Sequence, residues 1–347
     1  MSPSESRNSQ ERPSVSAVMV NWNGAKHLRV CLPSLLAQSH QPLEIIVMDN
    51  GSSDDSAEVV REFGVTWLPL GANIGLGPAI NKGAAAAKGE LLLFLNNDMR
   101  FDPEFVAALA LPFASDRGIF ATDGMQYPWE GGDPVHTATR LAKSKLRANA
   151  TELVPGLYFS QEPAAEVTQT FIASAACMMV RKDLFLSIGG FDDRLPLGYE
   201  DAEICVRAWI HGWKLLFVPQ AVCWHRVSAS MGSRESVLMN FRGILRGRLL
   251  LSTKLLPARY AARTWLVSTA GLAKDVARLK WYLAKARLET LLAMGREIPR
   301  LLREKKTLFQ DAGTTAAAQL DAMLRLAENA EAPRESAQTA KVGTLSC

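Results

Sequence analysis

Residues 90–102 read Glu-Leu-Leu-Leu-Phe-Leu-Asn-Asn-Asp-Met-Arg-Phe-Asp. The apolar run Leu91 to Leu95 is too short for a helix and too uniform for a strand with one wet face. It predicts a strand buried on both faces of a sheet. The run stops in Asn96, Asn97 and Asp98, which would sit at the carboxyl end of a central strand, where open α/β sheets hold their ligands. A carboxylate there is a metal ligand or a turn former, and residue type alone favours the turn.

The same unit of strand, polar cluster and helix recurs upstream. Val15 to Val20 leads into Asn21-Trp22-Asn23-Gly24, and Leu43 to Met48 into Asp49-Asn50-Gly51-Ser52-Ser53-Asp54, with Ser53 or Asp54 as the expected helix N-cap. Val65 to Leu70 leads into Gly71 to Gly77 and an Ala-rich helix over Pro78 to Ala87. Leu28, Cys31, Leu32, Leu35 and Leu36 recur at helical spacing. This alternation predicts an α/β fold with a doubly wound, mostly parallel, Rossmann-like sheet whose polar strand ends converge along one edge.

Downstream, the pattern predicts a helix from Pro103 to Leu111, a strand over Gly118 to Tyr127, and an irregular excursion over 128–165 of the kind that forms binding loops. A buried strand is expected over Phe171 to Val180. A helix opens around Leu197 to Asp201 and closes at Gly212, and a strand over Trp213 to Val218 ends at Pro219 before Val222-Cys223-Trp224-His225.

At 347 residues and 48% hydrophobic content the chain can bury a large core, and a net charge of +4 gives no argument for a nucleic-acid partner. Five cysteines without CxxC spacing read as buried thiols of a reducing compartment. No uncharged apolar run approaches ~18 residues, and Met1 to Ser14 is polar, so neither a span nor a signal is expected and the cytoplasm is the expected location. Residues 1–14 read as disordered and 15–235 as the α/β domain. Residues 236–309 form a basic helical extension, and 310–347 are a partly disordered tail with one helix near Thr314 to Asn329. The basic helices read equally as a cap or oligomer contact and as an amphipathic surface lying on an anionic membrane.

Six segments, Val20–Gly24, Val47–Asp54, Asn73–Gly83, Phe94–Asp98, Gly189–Arg207 and His225–Ser230, together resemble family 2 glycosyltransferases of the GT-A fold, in particular bacterial rhamnosyltransferase-like members. The resemblance covers roughly residues 15 to 235. It implies inverting transfer of a hexose or deoxyhexose, L-rhamnose among them, from a dTDP-, UDP- or GDP-sugar to a glycan or lipid-linked glycan. It implies a donor site of Val20, Asn23, Asp49, Asn73, Gly75, Asn81, Asn97, Asp98 and Arg207, with Asp49 on the base, Asn73 and Asn81 shaping the pocket, and Arg207 near the diphosphate or an acidic acceptor group. Asp98 is the second acid of the family's D-x-D motif, and Asn96 stands in place of the first. Asp201, second residue of a Glu-Asp motif, would be the general base, while Glu200 orients the loop or contacts the acceptor.

The chemistry agrees with that assignment. Expelling a diphosphate builds negative charge that Mg²⁺ or Mn²⁺ offsets, and such ions need only one or two protein ligands when phosphates complete the shell. Asp98 meets that need, and His225 would add a nitrogen that suits Mn²⁺. A carboxylate that takes the acceptor's proton contributes ~10²–10⁴-fold. Tyr127 and Trp129, in the irregular excursion, are candidates for stacking on an acceptor sugar. Blander readings stand beside these: helix-capping acid for Asp201, loop cap for Asp49, turn residue for His225. A nucleotidyltransferase would carry a Gly-rich basic loop where Asn21 to Gly24 stands, and a glycosidase would need carboxylates on opposite sides of a sugar. An inactive scaffold is separated from an enzyme only by assay.

Overall fold

The computed structural model describes residues 12–41, 43–142, 150–195, 199–226 and 234–329. The expected disorder of the N-terminus and of the tail beyond Asn329, the helix start at Leu197, and the motif-like stretch beyond Arg226 lie outside the described residues, apart from Arg12 to Ser14.

Elements alternate as the pattern requires: β1 (Val15–Asn21), α1 (Ala25–Leu36), β2 (Leu43–Asp49), α2 (Ser56–Glu62), β3 (Thr66–Pro69), α3 (Leu76–Ala86) and β4 (Leu91–Asn96). Then come β5 (Met99–Phe101), α4 (Phe105–Ala110), β6 (Ile119–Pro128), β7 (Ala138–Ala142), β8 (Ala150–Val154), β9 (Leu157–Glu162), β10 (Thr168–Gln169), β11 (Met179–Arg181), α5 (Lys182–Ser187), α6 (Glu200–Ile210) and β12 (Lys214–His225). Four helices close the chain: α7 (Arg234–Lys254), α8 (Ala258–Ala277), α9 (Trp281–Asp311) and α10 (Ala316–Asn329).

The main sheet runs β10-β12-β6-β11-β4-β1-β2-β3, with β5 against β12. Strands β1 to β4 are parallel, β11 is antiparallel to both β4 and β6, and β12 is parallel to β6. The carboxyl ends of β1, β2, β3, β4, β6 and β12 therefore share one edge. Register fixes the neighbours there: Asn21 lies beside Asp49, Val20 beside Asn96, and Met99 beside His225.

β4 is buried on both faces, and its side chains divide by parity. Leu91, Leu93 and Leu95 join the layer of α1, α2 and α4, while Leu92 and Phe94 join the layer of α3, α5 and α6. Phe94 meets Phe185 and Phe191 at ring distances of 5.0 and 5.5 Å. Cys31, Cys177, Cys205 and Cys223 are buried free thiols, as expected.

Several segments depart from their sequence pattern. The excursion folds into its own antiparallel sheet, β7-β9-β8. Of the expected Phe171–Val180 strand only the end, Met179 and Val180, lies in a regular strand (β11), and the Ala173 and Ser174 amides bond to Cys205 Sγ and Asp123. The strand expected to end at Pro219 continues to His225 across a register shift between Val218 and Val222, a bulge that absorbs a residue lacking an N–H. The α2 N-cap position falls on Asp55, with Asp54 Oδ1 accepting the Ser56 N–H at 3.2 Å.

The C-terminal helices are joined to the sheet domain through its core. Leu251, Leu255, Leu256, Leu320 and Leu324 are buried in the same cluster as Phe94 and Ile204. A buried ion network reinforces the seam: Lys254 bonds Asp192 and Glu203, each at 2.8 Å, and Arg194 bonds Asp192 and Glu304, each at 2.6 Å. Burial alone would raise the Asp192 carboxyl, but Arg194 and Lys254 reverse this and hold it far below the usual carboxylate range.

Candidate active site

On the β1–β3 side of the edge, polar residues hold one another across strand ends. Asn97 Nδ2 donates to Asn21 Oδ1 at 2.7 Å, and Asn21 Nδ2 donates to Ser52 Oγ at 3.2 Å. Asn23, at φ 51°, accepts the Ser53 N–H at 2.8 Å. Asp49 is buried and accepts the Ser52 N–H. Asn50 Nδ2 donates to Asn73 Oδ1 at 3.0 Å, and Asn73 Oδ1 also accepts the Gly75 N–H at 3.1 Å. Gly24 is required by this lattice, since a Cβ there would overlap the Asn97 and Asn21 side chains. Val20 is half-buried beside Asn96.

At the next strand end, pairing of β5 with β12 carries Asp98 to His225: Asp98 Oδ1 lies 3.2 Å from His225 Nε2. Asn96 Nδ2 lies 3.4 Å from the same nitrogen, and His225 Nδ1 lies 3.3 Å from Gln126 Oε1. Nδ1 is placed to donate to that carbonyl oxygen, and in the tautomer that does so the Nε2 lone pair lies beside Asp98. One carboxylate oxygen and one imidazole lone pair side by side fit a divalent cation. Among the described residues no cluster of three or more His, Cys, Asp or Glu could hold an ion alone, so further ligands would have to come from a substrate.

Glu200 and Asp201 open α6. Asp201 Oδ1 accepts the Ala202 N–H at 2.7 Å. Burial raises its proton affinity, opposed by that N–H and by His136 and reinforced by Asp123. Tyr199, immediately before, adopts φ 69° and is held by Arg248 Nε at 3.0 Å and Leu153 O at 2.8 Å. Glu200 is 6% exposed.

Two residues assigned to the donor by resemblance are engaged elsewhere. The Arg207 guanidinium is buried and donates to Glu203 Oε2, Ile188 O and Gly190 O, each at 2.6 Å for its shortest bond. Asn81 clamps the Phe191 backbone through both its amide atoms and donates to Asp193. Both shape the Gly189–Asp193 turn. Tyr127 is half-buried near the end of β6, and Trp129 lies just beyond. Arg226 and Arg100 pack on the Trp129 ring at 4.5 and 5.1 Å, and Arg100 also covers Trp224 at 4.6 Å.

Sequence reasoning missed Gln126, Cys177, Asp123 and His136. They form a chain of contacts from His225: Gln126 Nε2 to Cys177 Sγ (3.3 Å), Cys177 Sγ to Asp123 Oδ1 (3.3 Å), and Asp123 Oδ2 to His136 Nε2 (2.5 Å). One signal was present: an Asp in the middle of an apolar strand needs buried partners.

Comparison with known proteins gives this geometry a family. The model for glycosyl transferase family 2 matches residues 16–189. The chain is 28% identical over 246 residues to an N-acetylglucosaminyl-diphospho-decaprenol L-rhamnosyltransferase of Mycobacterium tuberculosis, covering 62% of this chain and 76% of that protein. It is 29% identical over 231 residues to the O-antigen biosynthesis protein RfbC of Myxococcus xanthus, covering 63% of this chain and 18% of that one. Two solved structures share the fold at 18% identity. The mannosyltransferase PcManGT of Pyrobaculum calidifontis, with GDP-Man and Mn²⁺, has a TM-score of 0.51 over 92% of this chain and 82% of its own. GalNAc-T7, with UDP, GalNAc and Mn²⁺, has a TM-score of 0.53 over 70% of this chain and 51% of its own. With a mostly parallel sheet whose strand ends gather Asp49, Asp98 and His225 on one edge, the chain belongs to glycosyl transferase family 2 and is a glycosyltransferase of the GT-A fold.

Proposed function

We propose that the chain transfers a deoxyhexose of the L-rhamnose type, or a hexose, from a nucleoside diphosphate to a sugar hydroxyl carried on a lipid diphosphate, with inversion. The observation that carries this reading is the Asp98–His225 pair at 3.2 Å, on the same sheet edge as the Asn/Ser/Asp lattice. The lattice around Asp49, Asn73 and Gly75 receives the nucleoside. Asp98 and His225 would hold Mn²⁺ or Mg²⁺, which would supply positive charge against the departing diphosphate. Asp201 takes the acceptor's proton as that oxygen bonds the anomeric carbon. One base on one face supports inversion, and Glu200 and the Tyr127–Trp129 segment border the acceptor.

The acceptor in the mycobacterial relative's name motivates the lipid diphosphate, and the helical extension suits one. At the turn between α8 and α9, Leu279 is 72% and Trp281 61% exposed, beside exposed Arg278 and Lys280. Leu279 holds φ 55°, a strain usually left to glycine, and its side chain faces solvent. Among the described residues no helix is long and apolar enough to cross a membrane. This tip lies on an anionic leaflet, its apolar residues inserted and its cations at the headgroups. Calorimetric titration with dTDP, UDP and GDP, each with and without Mn²⁺, tests the donor reading. One nucleotide should bind in a Mn²⁺-dependent manner, and binding of none would remove the donor site.

A further inference from the structure

The mechanism above leaves one buried charged pair unused. Asp123 is fully buried in β6 and accepts four hydrogen bonds: His136 Nε2 (2.5 Å) and the Ser174 N–H (3.0 Å) on Oδ2, the Gly124 N–H (2.9 Å) and the Cys177 thiol (3.3 Å) on Oδ1. Four donors match the lone-pair sites of a carboxylate. His136 lies between β6 and β7 with its ring near Phe217, and its side chain is 15% exposed.

The pair is built against the face of α6 that carries Asp201. The Ala173 N–H donates to Cys205 Sγ at 3.4 Å, and the next amide, Ser174, donates to Asp123. Cys205 is one helical turn beyond Asp201, on the same face. Two successive peptides thus grip α6 on one side and the Asp123–His136 pair on the other. Asp123 and His136 act on Asp201 from the β6 side, and Tyr199 and Cys205 feel it from its own element. His136 is faced by Asp123 and Asp201.

We propose that His136, locked to Asp123, is the positive countercharge that keeps Asp201 in its proton-accepting form: a positioning pair that acts on transfer only through the base. Burial opposes charge on His136, but Asp123, by charge and hydrogen bond, and Asp201 outweigh it and raise its proton affinity. With His136 charged, the three groups carry one net negative charge before transfer and none after Asp201 accepts the proton. Without it, the Asp123 carboxylate would face Asp201 uncompensated and raise its proton affinity further. This rests on reading Asp201 as the base.

His136→Gln keeps a donor for Asp123 but removes the charge. The acid limb of the kcat profile should move up by about one pH unit, a tenfold loss below the limb, with the high-pH plateau and donor KM retained. A uniform fall at every pH, or an unmoved limb, would overturn the proposal. The second measurement reads no activity: with five histidines in the chain, the His136 ring can be followed by nitrogen NMR. It should titrate above an ordinary imidazole in the wild type and at lower pH in Asp201→Asn. A neutral ring at pH 7, or identical titration in the two proteins, would defeat the coupling. If Asp201→Asn instead keeps its transfer rate while the ring titration moves, the base assignment fails and the coupling stands.

Discussion

The two sides of this sheet edge are built in opposite ways. The proposed donor side gathers residues that each end a strand or open the following loop within the first hundred positions, and they bond to one another across adjacent strand ends: Asn97 to Asn21, Asn21 to Ser52, Asn50 to Asn73. The proposed acceptor side draws Asp123 from mid-strand, His136 from a loop and Ser174 from irregular chain into one buried hydrogen-bonded cluster, with Asp201, from a helix start, in its field. A site made of strand ends is fixed by the sheet alone. A site made of buried charges is fixed only when every partner arrives, so it tolerates less.

The sharpest test of this division is Asp201→Asn, which should cut transfer by ~10²–10⁴-fold while leaving nucleotide affinity unchanged. A single-turnover assay alongside calorimetry separates the two, and a loss of nucleotide binding would merge the sides. Gln126 lies on the boundary, because it orients His225. Gln126→Leu should weaken Mn²⁺-dependent nucleotide binding by ~10–100-fold, the usual cost of losing an orienting partner, and excess chelator should reproduce the effect in wild type. Nucleotide binding unaffected by either treatment would detach the Asp98–His225 pair from the donor.

Leu279→Asp with Trp281→Glu should release the protein from anionic vesicles, since each buried large apolar side chain contributes about 1.5–3 kcal/mol. Transfer to a short soluble acceptor should persist. Equal vesicle binding by variant and wild type would confine the tip to packing. The smallest effect belongs to Gly24→Ala, which forces Asn97 and Asn21 apart and should cost about 1–3 kcal/mol of stability by denaturant titration, with weaker nucleotide binding. A variant of unchanged stability would show that the lattice yields freely.

The same contrast explains what could be read from the chain. Leu91 to Leu95, the polar ends after β1, β2 and β4, and the parallel order follow from local pattern, because period and burial are properties of neighbouring residues. Asp98 and His225 are paired in the sequence by the chemistry of a metal site, but the β5–β12 pairing that brings them together is one that three residues of sequence do not announce. Arg207 and Asn81 belong to recognisable motifs, yet their hydrogen bonds are taken by Ile188, Gly190 and Phe191, partners visible only once the turn is folded. Asp123 and His136 gave one weak cue and no spacing rule, since their contact depends on the chain turning back after β6.

Tyr199 carries a consequence for engineering. Its left-handed backbone introduces the Glu-Asp motif, yet its hydroxyl is held by Arg248, and its ring lies where a Cβ on Gly247 would be. The helix that carries Asp201 is thus seated in a socket contributed by α7, some fifty residues later in the chain. A chimaera that exchanges the C-terminal helices to redirect the enzyme to another acceptor must carry Tyr199, Gly247 and Arg248 as one unit. Grafted without its socket, the Glu-Asp motif would keep its residues and lose its aim.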